Sequence, residues 1–281
     1  MRLHRYPKFY NAAIRLALKF IPAKRGIVFL TLHHIDSSEV EWLCDVLDDL
    51  KRSYDFIDVK DIEDAVRLPI RGSRPKLVLT FDDAFVCQKM VADECLSSRN
   101  IKALFFVPTA FVGLVGQGAL NFTKTSFYPN GQPKNLPMGG YDAMRWADIR
   151  ALVAEGHTIG AHTASHPKLS NISEEELRDE IINSADILES ELKVKIRHFA
   201  YPFGTVEATS QLSYSIVKKR FDWAYSNIRG VFKDSPSKHF IYRQNLVPKS
   251  PLWLVKAIVE GRLDFIYRKK RTLAKHLFHS H

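Results

Sequence analysis

Apolar positions along the chain follow two rhythms that alternate from start to finish. A continuous apolar run occupies 26–32, and further short strand-like runs, some holding a polar residue, occupy 77–81, 103–107, 157–161, 196–201 and 223–226, with shorter ones at 56–59 and 241–242. A strand covered on both faces reads as such a run, because neither side of its pleat is offered to water. Between the runs, apolar residues recur every three or four positions, as in Val40, Leu43, Leu47 and Leu50. That spacing lines one face of a helix. The same rhythm predicts helices over 62–68, 86–97, 144–154, 173–192, 207–219 and 251–260. Ser173, with Glu176 three places on, forms a capping box at the start of one of them. Pro69 and Pro75 break the chain ahead of the strand at 77–81. From 113 to 140 both rhythms lapse into an irregular stretch rich in Gly, Pro and Asn, which in a compact domain is functional or mobile.

Strand followed by helix, repeated throughout, argues for the α/β class with a parallel sheet closed into a barrel. The chain divides into a basic amphipathic segment (1–26), a barrel over 27–261 with an irregular insertion at 113–140, and a basic C-terminal tail (262–281). A length of 281 residues suits one large barrel or two modest domains, and 46% hydrophobic with 26% charged residues suits an ordinary core. No stretch reaches the ~20 apolar residues of a membrane span. No secretory cleavage site follows the N-terminus, so the expected location is cytoplasmic. Cys44, Cys87 and Cys95 have no CxxC spacing and read as reduced thiols.

Charge changes the picture at the two ends. The formal net charge is +10, with Arg2, Arg5, Lys8, Arg15, Lys19, Lys24 and Arg25 near the start and Arg262, Arg268, Lys269, Lys270, Arg271 and Lys275 near the finish. Ile14, Ala17, Leu18 and Ile21 share a helical face, with Arg15 and Lys19 between them. Such a helix either lies on an anionic membrane, here the inner face, or packs on the barrel with its charges solvated. No nucleic-acid partner is expected, because no binding module is present and the basic clusters lack interleaved aromatics beyond Phe265 and Tyr267.

The chemistry lies at strand ends. Asp82 and Asp83 close the run at 77–81, and 157–161 delivers His162, with His166 four places on. In a parallel barrel, reacting groups sit at the C-terminal ends of strands. Neighbouring strand residues normally face opposite ways. Where the strand ends and the chain turns, one carboxylate can bind a metal while the other stands beside it as a base. Two imidazoles and a carboxylate with open positions suit a hydrolytic divalent ion, zinc by default. Taken alone, the paired aspartates also fit a capped or solvated turn, and HxxxH is a weak motif.

Three ordered segments make the resemblance specific: Thr80-Phe81-Asp82-Asp83, then Gly156 through Pro167 with His162-Thr163-Ala164-Ser165-His166, then Phe199-Ala200-Tyr201-Pro202-Phe203-Gly204. Over about 27–250 the chain resembles the polysaccharide deacetylases, carbohydrate esterase family 4 or the NodB homology domain. The resemblance implies a distorted (β/α) barrel and metal-dependent removal of N-acetyl groups from hexosamine residues. It makes Asp82 the base and Asp83, His162 and His166 the metal ligands, with Tyr201 and Phe203 beside substrate and oxyanion.

The chain also departs from that pattern. Phe203 replaces the usual tyrosine, a change that a backbone N–H donor survives. Ala200 stands where many members carry the arginine that steadies the base, and the C-terminal Leu-x-His motif that supplies the acid is absent. Thr31-Leu32-His33-His34-Ile35 resembles the first-strand motif of a branch in which an N-terminal histidine is the acid, and His33 takes that place. By strand alternation His33 and His34 are not expected to face the site together. Arg243 is the expected substitute for the missing arginine, orienting Asp82. Trp146, Phe122, Phe127, Tyr128 and Tyr141 either stack on sugar or form the insertion's own small core. The expected substrate is a polysaccharide, glycan precursor or lipid-linked or nucleotide sugar. The rival functions are deformylation of an amino-sugar lipid and non-catalytic carbohydrate binding on the same scaffold.

Overall fold

The computed structural model describes residues 8–67, 74–129, 131, 134–136 and 139–279, with side chains from 14 onward. Arg2 and Arg5 lie outside these residues, as do the side chain of Lys8 and most of the break beginning at Pro69. The strands are β1 (Ile27–Leu32), β2 (Asp55–Phe56), β3 (Lys76–Phe81), β4 (Ala103–Val107), β5 (Thr158–Ala161), β6 (His198–Ala200), β7 (Trp223–Tyr225) and β8 (Gln244–Asn245). All pairings among them are parallel, in the order β7-β6-β5-β4-β3-β1-β8, with β2 on the N-terminal part of β3. A bridge from Tyr225 to Ile241 ties the segment entering β8 back to β7, so the sheet curls round on itself.

The unbroken apolar runs have a direct cause. Ile27 and Phe29, Val78, and Leu104 and Phe106 share one core with Tyr225 and Ile241 inside the curl. Their neighbours Val28 and Leu30, Leu77, Leu79 and Phe81, and Ala103, Phe105 and Val107 belong to the larger core beneath the helices. Each strand therefore fills two apolar layers with alternate residues, and Phe81 stacks on Phe105 with ring centroids 5.0 Å apart.

The helices are α1 (Lys8–Lys19), α2 (Ser37–Lys51), α3 (Ile62–Arg67), α4 (Val86–Val91), α5 (Gly116–Phe122), α6 (Trp146–Ala154), α7 (Glu174–Arg178), α8 (Ser184–Leu192), α9 (Gln211–Arg220), α10 (Leu252–Val259) and α11 (Arg268–Phe278). Leu43, Leu47 and Leu50 of α2 are buried at the predicted spacing. Ser173 and Glu176 cap α7 reciprocally. A π turn (Asp179–Asn183) joins α7 to α8.

Several expectations need correction. The stretch 113–140 holds α5 and a π turn, packed through Phe111, Phe127 and Tyr141 into a separate aromatic cluster. The last strand lies at 244–245, after the bridge at Ile241. Residues 268–278 are helical, with Ala274 and Phe278 buried. Cys44 and Cys95 are paired as a disulfide with Cα atoms 5.5 Å apart, leaving Cys87 free among the described residues. Helix packing brings those two thiols together, and their spacing of 51 residues carries no sign of it. Among the described residues no helix is long and apolar enough to cross a membrane.

Candidate active site

The C-terminal ends of the strands surround a cavity of about 520 Å³, within the usual ~300–1,000 Å³ of small-ligand sites. His33, Asp82, Asp83, His162, His166, Tyr201 and Phe203 all line it. β1 delivers His33, β3 the two aspartates and β5 His162; Tyr201 and Phe203 follow β6.

Asp83 adopts φ +83°, which turns the chain at the strand's end and lets neighbouring carboxylates serve one site. Asp83 Oδ1 lies 3.5 Å from His162 Nε2 and 3.9 Å from His166 Nε2. The three side chains offer ligand atoms within 4.8 Å of one another, all buried. The other ring nitrogens are already engaged: Nδ1 of His162 is 2.8 Å from the Ala200 carbonyl, and Nδ1 of His166 is 3.1 Å from that of Ser126. As Nδ1–H donors, both rings turn Nε2 toward Asp83, the outer hydrogen bonding typical of metal-binding histidines. Burial pushes the His166 imidazole down to about 4, which keeps it neutral, the form that binds metal. The donor set, the tautomers and the burial all fit a divalent ion.

Asp82 faces a different partner. Arg243 donates from both terminal nitrogens to both carboxylate oxygens, at 2.7 and 2.6 Å. The guanidinium is fully buried; its Nε donates to the Ser226 carbonyl at 2.8 Å, and it lies 5.4 Å over the Phe106 ring. Burial alone would raise the Asp82 carboxyl, but the Arg243 charge and hydrogen bonds, with His162 and His33, hold it well below the carboxylate range. Asp83 is also held low against burial, by His162 first and then by the other nearby imidazoles.

His33 Nε2 stands 3.7 Å from Asp82 Oδ2 with about 30% of its side chain exposed, at the mouth of the cavity. His34 lines the cavity as well, which corrects the expectation that one of the pair would be excluded. β1 has ended at Leu32, so strand alternation no longer governs the two rings. His34 Nε2 is bound to the Gly140 carbonyl at 2.6 Å, and its ring packs on Phe85 and Tyr141. Tyr201 is buried and donates its hydroxyl to the His239 carbonyl at 3.0 Å, so it gives the cavity a wall and no free donor. Phe203 sits at φ +59°, and among the described residues its N–H has no protein acceptor. Of the insertion aromatics, Phe127, Tyr128 and Tyr141 line the cavity, whereas Trp146 packs on the main core.

Backbone strain clusters here. Among the described residues, five of the eight non-glycine residues with positive φ are Asp83, Ala84, Thr163, His166 and Phe203, the pattern expected where surrounding structure enforces a working geometry. Sequence reading missed Glu180, in the π turn between α7 and α8. Its carboxylate accepts from the Ala164 and Ser165 N–H groups, both at 2.8 Å, and from the Ser165 hydroxyl at 2.6 Å. It clamps the loop carrying both histidines. It also missed Lys134, Asn227 and Asn245 in the cavity wall, with Lys134 paired to buried Glu39 at 2.7 Å. These polar residues lie in segments without a motif.

The family model for polysaccharide deacetylase matches residues 70–220, more than half of the chain. A peptidoglycan-N-acetylglucosamine deacetylase of Bacillus cereus is 28% identical over 136 residues, 48% of this chain and 38% of that protein. The chain thus spans well under half the length of that relative. Two solved structures share the fold. The Streptococcus pyogenes deacetylase PplD in complex with acetate has a TM-score of 0.61 at 19% identity, covering 84% of this chain and 99% of that one. IcaB from Ammonifex degensii has a TM-score of 0.65 at 21% identity, covering 85% and 98%.

Proposed function

The chain belongs to the polysaccharide deacetylase family, and from that premise we propose that it is a metal-dependent hydrolase removing N-acetyl groups from N-acetylhexosamine residues of a glycan or glycan precursor. One observation carries the reading: a buried His/His/Asp triad stands directly beside a second aspartate that a buried arginine keeps ionised. Asp83, His162 and His166 would hold the ion, zinc by the ligand set, and when bound it would polarise the amide carbonyl and acidify a water.

The chain's own groups supply the rest. Asp82 accepts the proton of the attacking water, and its pairing with Arg243 fixes the carboxylate plane. A base with so low a proton affinity favours holding its charge over pulling hard on the proton. The Phe203 N–H, which has no protein acceptor among the described residues, donates to the developing oxyanion, a kind of interaction worth about 3 kcal/mol per donor. His33, which lines the cavity 3.7 Å from Asp82, protonates the departing amine. Phe127, Tyr128 and Tyr141 offer ring faces and edges to a sugar.

The absence of an arginine at Ala200 favoured a non-catalytic carbohydrate binder. That argument weakens because Arg243 brings a guanidinium to the Asp82 carboxylate from the segment entering β8. The direct test is mass spectrometry for loss of an acetyl group across N-acetylhexosamine oligomers, lipid-linked sugars and nucleotide sugars. Loss of acetyl that stops on chelation supports the reading. Formyl loss alone would replace it with the deformylase, and binding without any acyl loss would replace it with a lectin-like role.

A further inference from the structure

We propose that the protein docks onto an anionic membrane surface through the N-terminal end of its barrel, by a basic cleft bordered with exposed apolar side chains. The inference does not depend on the catalytic reading.

Arg25 lies just before β1 and His33 just after it, so the length of that strand, about 20 Å, separates this surface from the cavity. The cleft has a volume of about 620 Å³ and is lined by seven cationic side chains. Three of them are committed. Lys24 binds Asp234 at 2.6 Å and Asp264 at 2.8 Å, and Arg271 binds Asp234 at 2.7 Å. Arg262 pairs with Glu260 and donates to the carbonyls of Leu18, Lys19 and Ile21 at the end of α1. These contacts fix α1 and its linker on the barrel. The other four, Arg25, Lys233, Arg268 and Lys275, are exposed and have no carboxylate within ion-pair distance among the described residues. A rim of four unneutralised cations remains over a neutralised floor.

Apolar groups stand in the same surface. Phe265, 60% exposed, lines the cleft, and Ile266 beside it is 48% exposed. On α1, Leu18 is buried and Ile14 packs against the core, whereas Leu16, and Phe20 in the turn just after the helix, are 58% and 82% exposed. A terminal helix that merely packs on a barrel has polar groups outward. Here the outer side carries Leu16 and Phe20 among the exposed Arg15 and Lys19, which supports the membrane-facing of the two readings left open by the sequence. Cations at the headgroups and apolar side chains at the acyl boundary are the two halves of an interfacial anchor. Docked this way, the barrel holds its cavity away from the bilayer and open to solvent.

The test is co-sedimentation of the full chain with phosphatidylcholine vesicles with and without phosphatidylglycerol. Binding is expected only with phosphatidylglycerol and should weaken as salt is raised. Replacing Arg25, Lys233, Arg268 and Lys275 by Gln should lower affinity about fivefold per charge. The double variant Phe20→Ser with Phe265→Ser should lower it at unchanged net charge. Thermal unfolding of each variant at the wild-type temperature establishes that these exposed changes leave the fold intact. Equal binding to neutral and anionic vesicles would overturn the proposal. So would binding that inorganic phosphate competes away and the apolar variant leaves untouched, since a free anion would then be the ligand. Tighter binding to single-stranded RNA than to vesicles would overturn it as well.

Discussion

Arg243 and Asp82 are 161 positions apart in sequence and meet through two hydrogen bonds in a buried pair. Such a pair contributes little net stability but is costly to break, because the survivor is left charged without a partner. Arg243→Met should therefore destabilise the protein by about 3–5 kcal/mol, read by urea unfolding. Arg243→Lys keeps the charge and loses the fork, so the acid limb of the pH–rate profile should move to higher pH as Asp82 regains proton affinity. An unmoved limb would remove Asp82 as the titrating base. Asp82→Asn should cut turnover about 10²–10⁴-fold while zinc, measured by calorimetry, still binds. At Gly204, φ is +57° and a Cβ would collide with the Asn227 backbone nitrogen. Gly204→Ala should displace the Phe203 N–H and lower kcat more than it raises KM. The motif residues were legible one by one, but Arg243 needed a family comparison to be singled out, and the strain at Phe203 leaves no trace in residue type.

Among the elements, the long periodic ones were legible and the short ones were not. β1, β3 and β4 and the α2 helix lie where periodicity places them, because two apolar layers or one apolar face dictate their composition. β8, two residues long, follows Tyr242 and Arg243 and is held by its pairing with β1 and by the bridge at Ile241, so its own sequence gives no signal. The π turn between α7 and α8 was also invisible. Bonds of the i→i+5 type there insert a residue into the helix, and Glu180 lies in that turn, facing the histidine loop. Glu180→Ala should free the Ala164 and Ser165 amides and weaken metal affinity about 10- to 100-fold by calorimetry. Glu180→Gln, which retains an acceptor oxygen for those amides, should lose much less. Equal affinities in all three proteins would reduce Glu180 to a helix-surface residue.

For the molecule as a whole, burial of imidazoles sets the acid limit. His157, His198 and His239 lie outside the cavity, and burial pushes each down to about 4. Between about pH 6.5 and 4, the unfolded chain binds protons that the folded one refuses, so stability falls as pH falls through that window. The depressed Asp82 and Asp83 carboxyls add a further loss below about pH 4, where unfolded carboxylates begin to protonate. Urea midpoints should therefore drop from about pH 7 to about pH 5, before the carboxylates contribute. A midpoint that holds or rises would mean these histidines reach solvent. The same scale decided the two ends of the chain. Composition showed that they were basic, and only their folding beside one another produced a cleft with unpaired cations and outward-facing aromatics.

What the chain determined unaided was whatever depends on near neighbours: alternating strand and helix, the capping box at Ser173, and motifs whose order marks the family. What only the tertiary structure decided was which distant groups share a space. The Glu180 clamp, the Cys44–Cys95 pair and the basic cleft join segments that carry no mark of each other. Periodicity reports the environment of a residue along its own element, whereas partners across a barrel are set by how whole elements pack, and packing is a property of the complete chain.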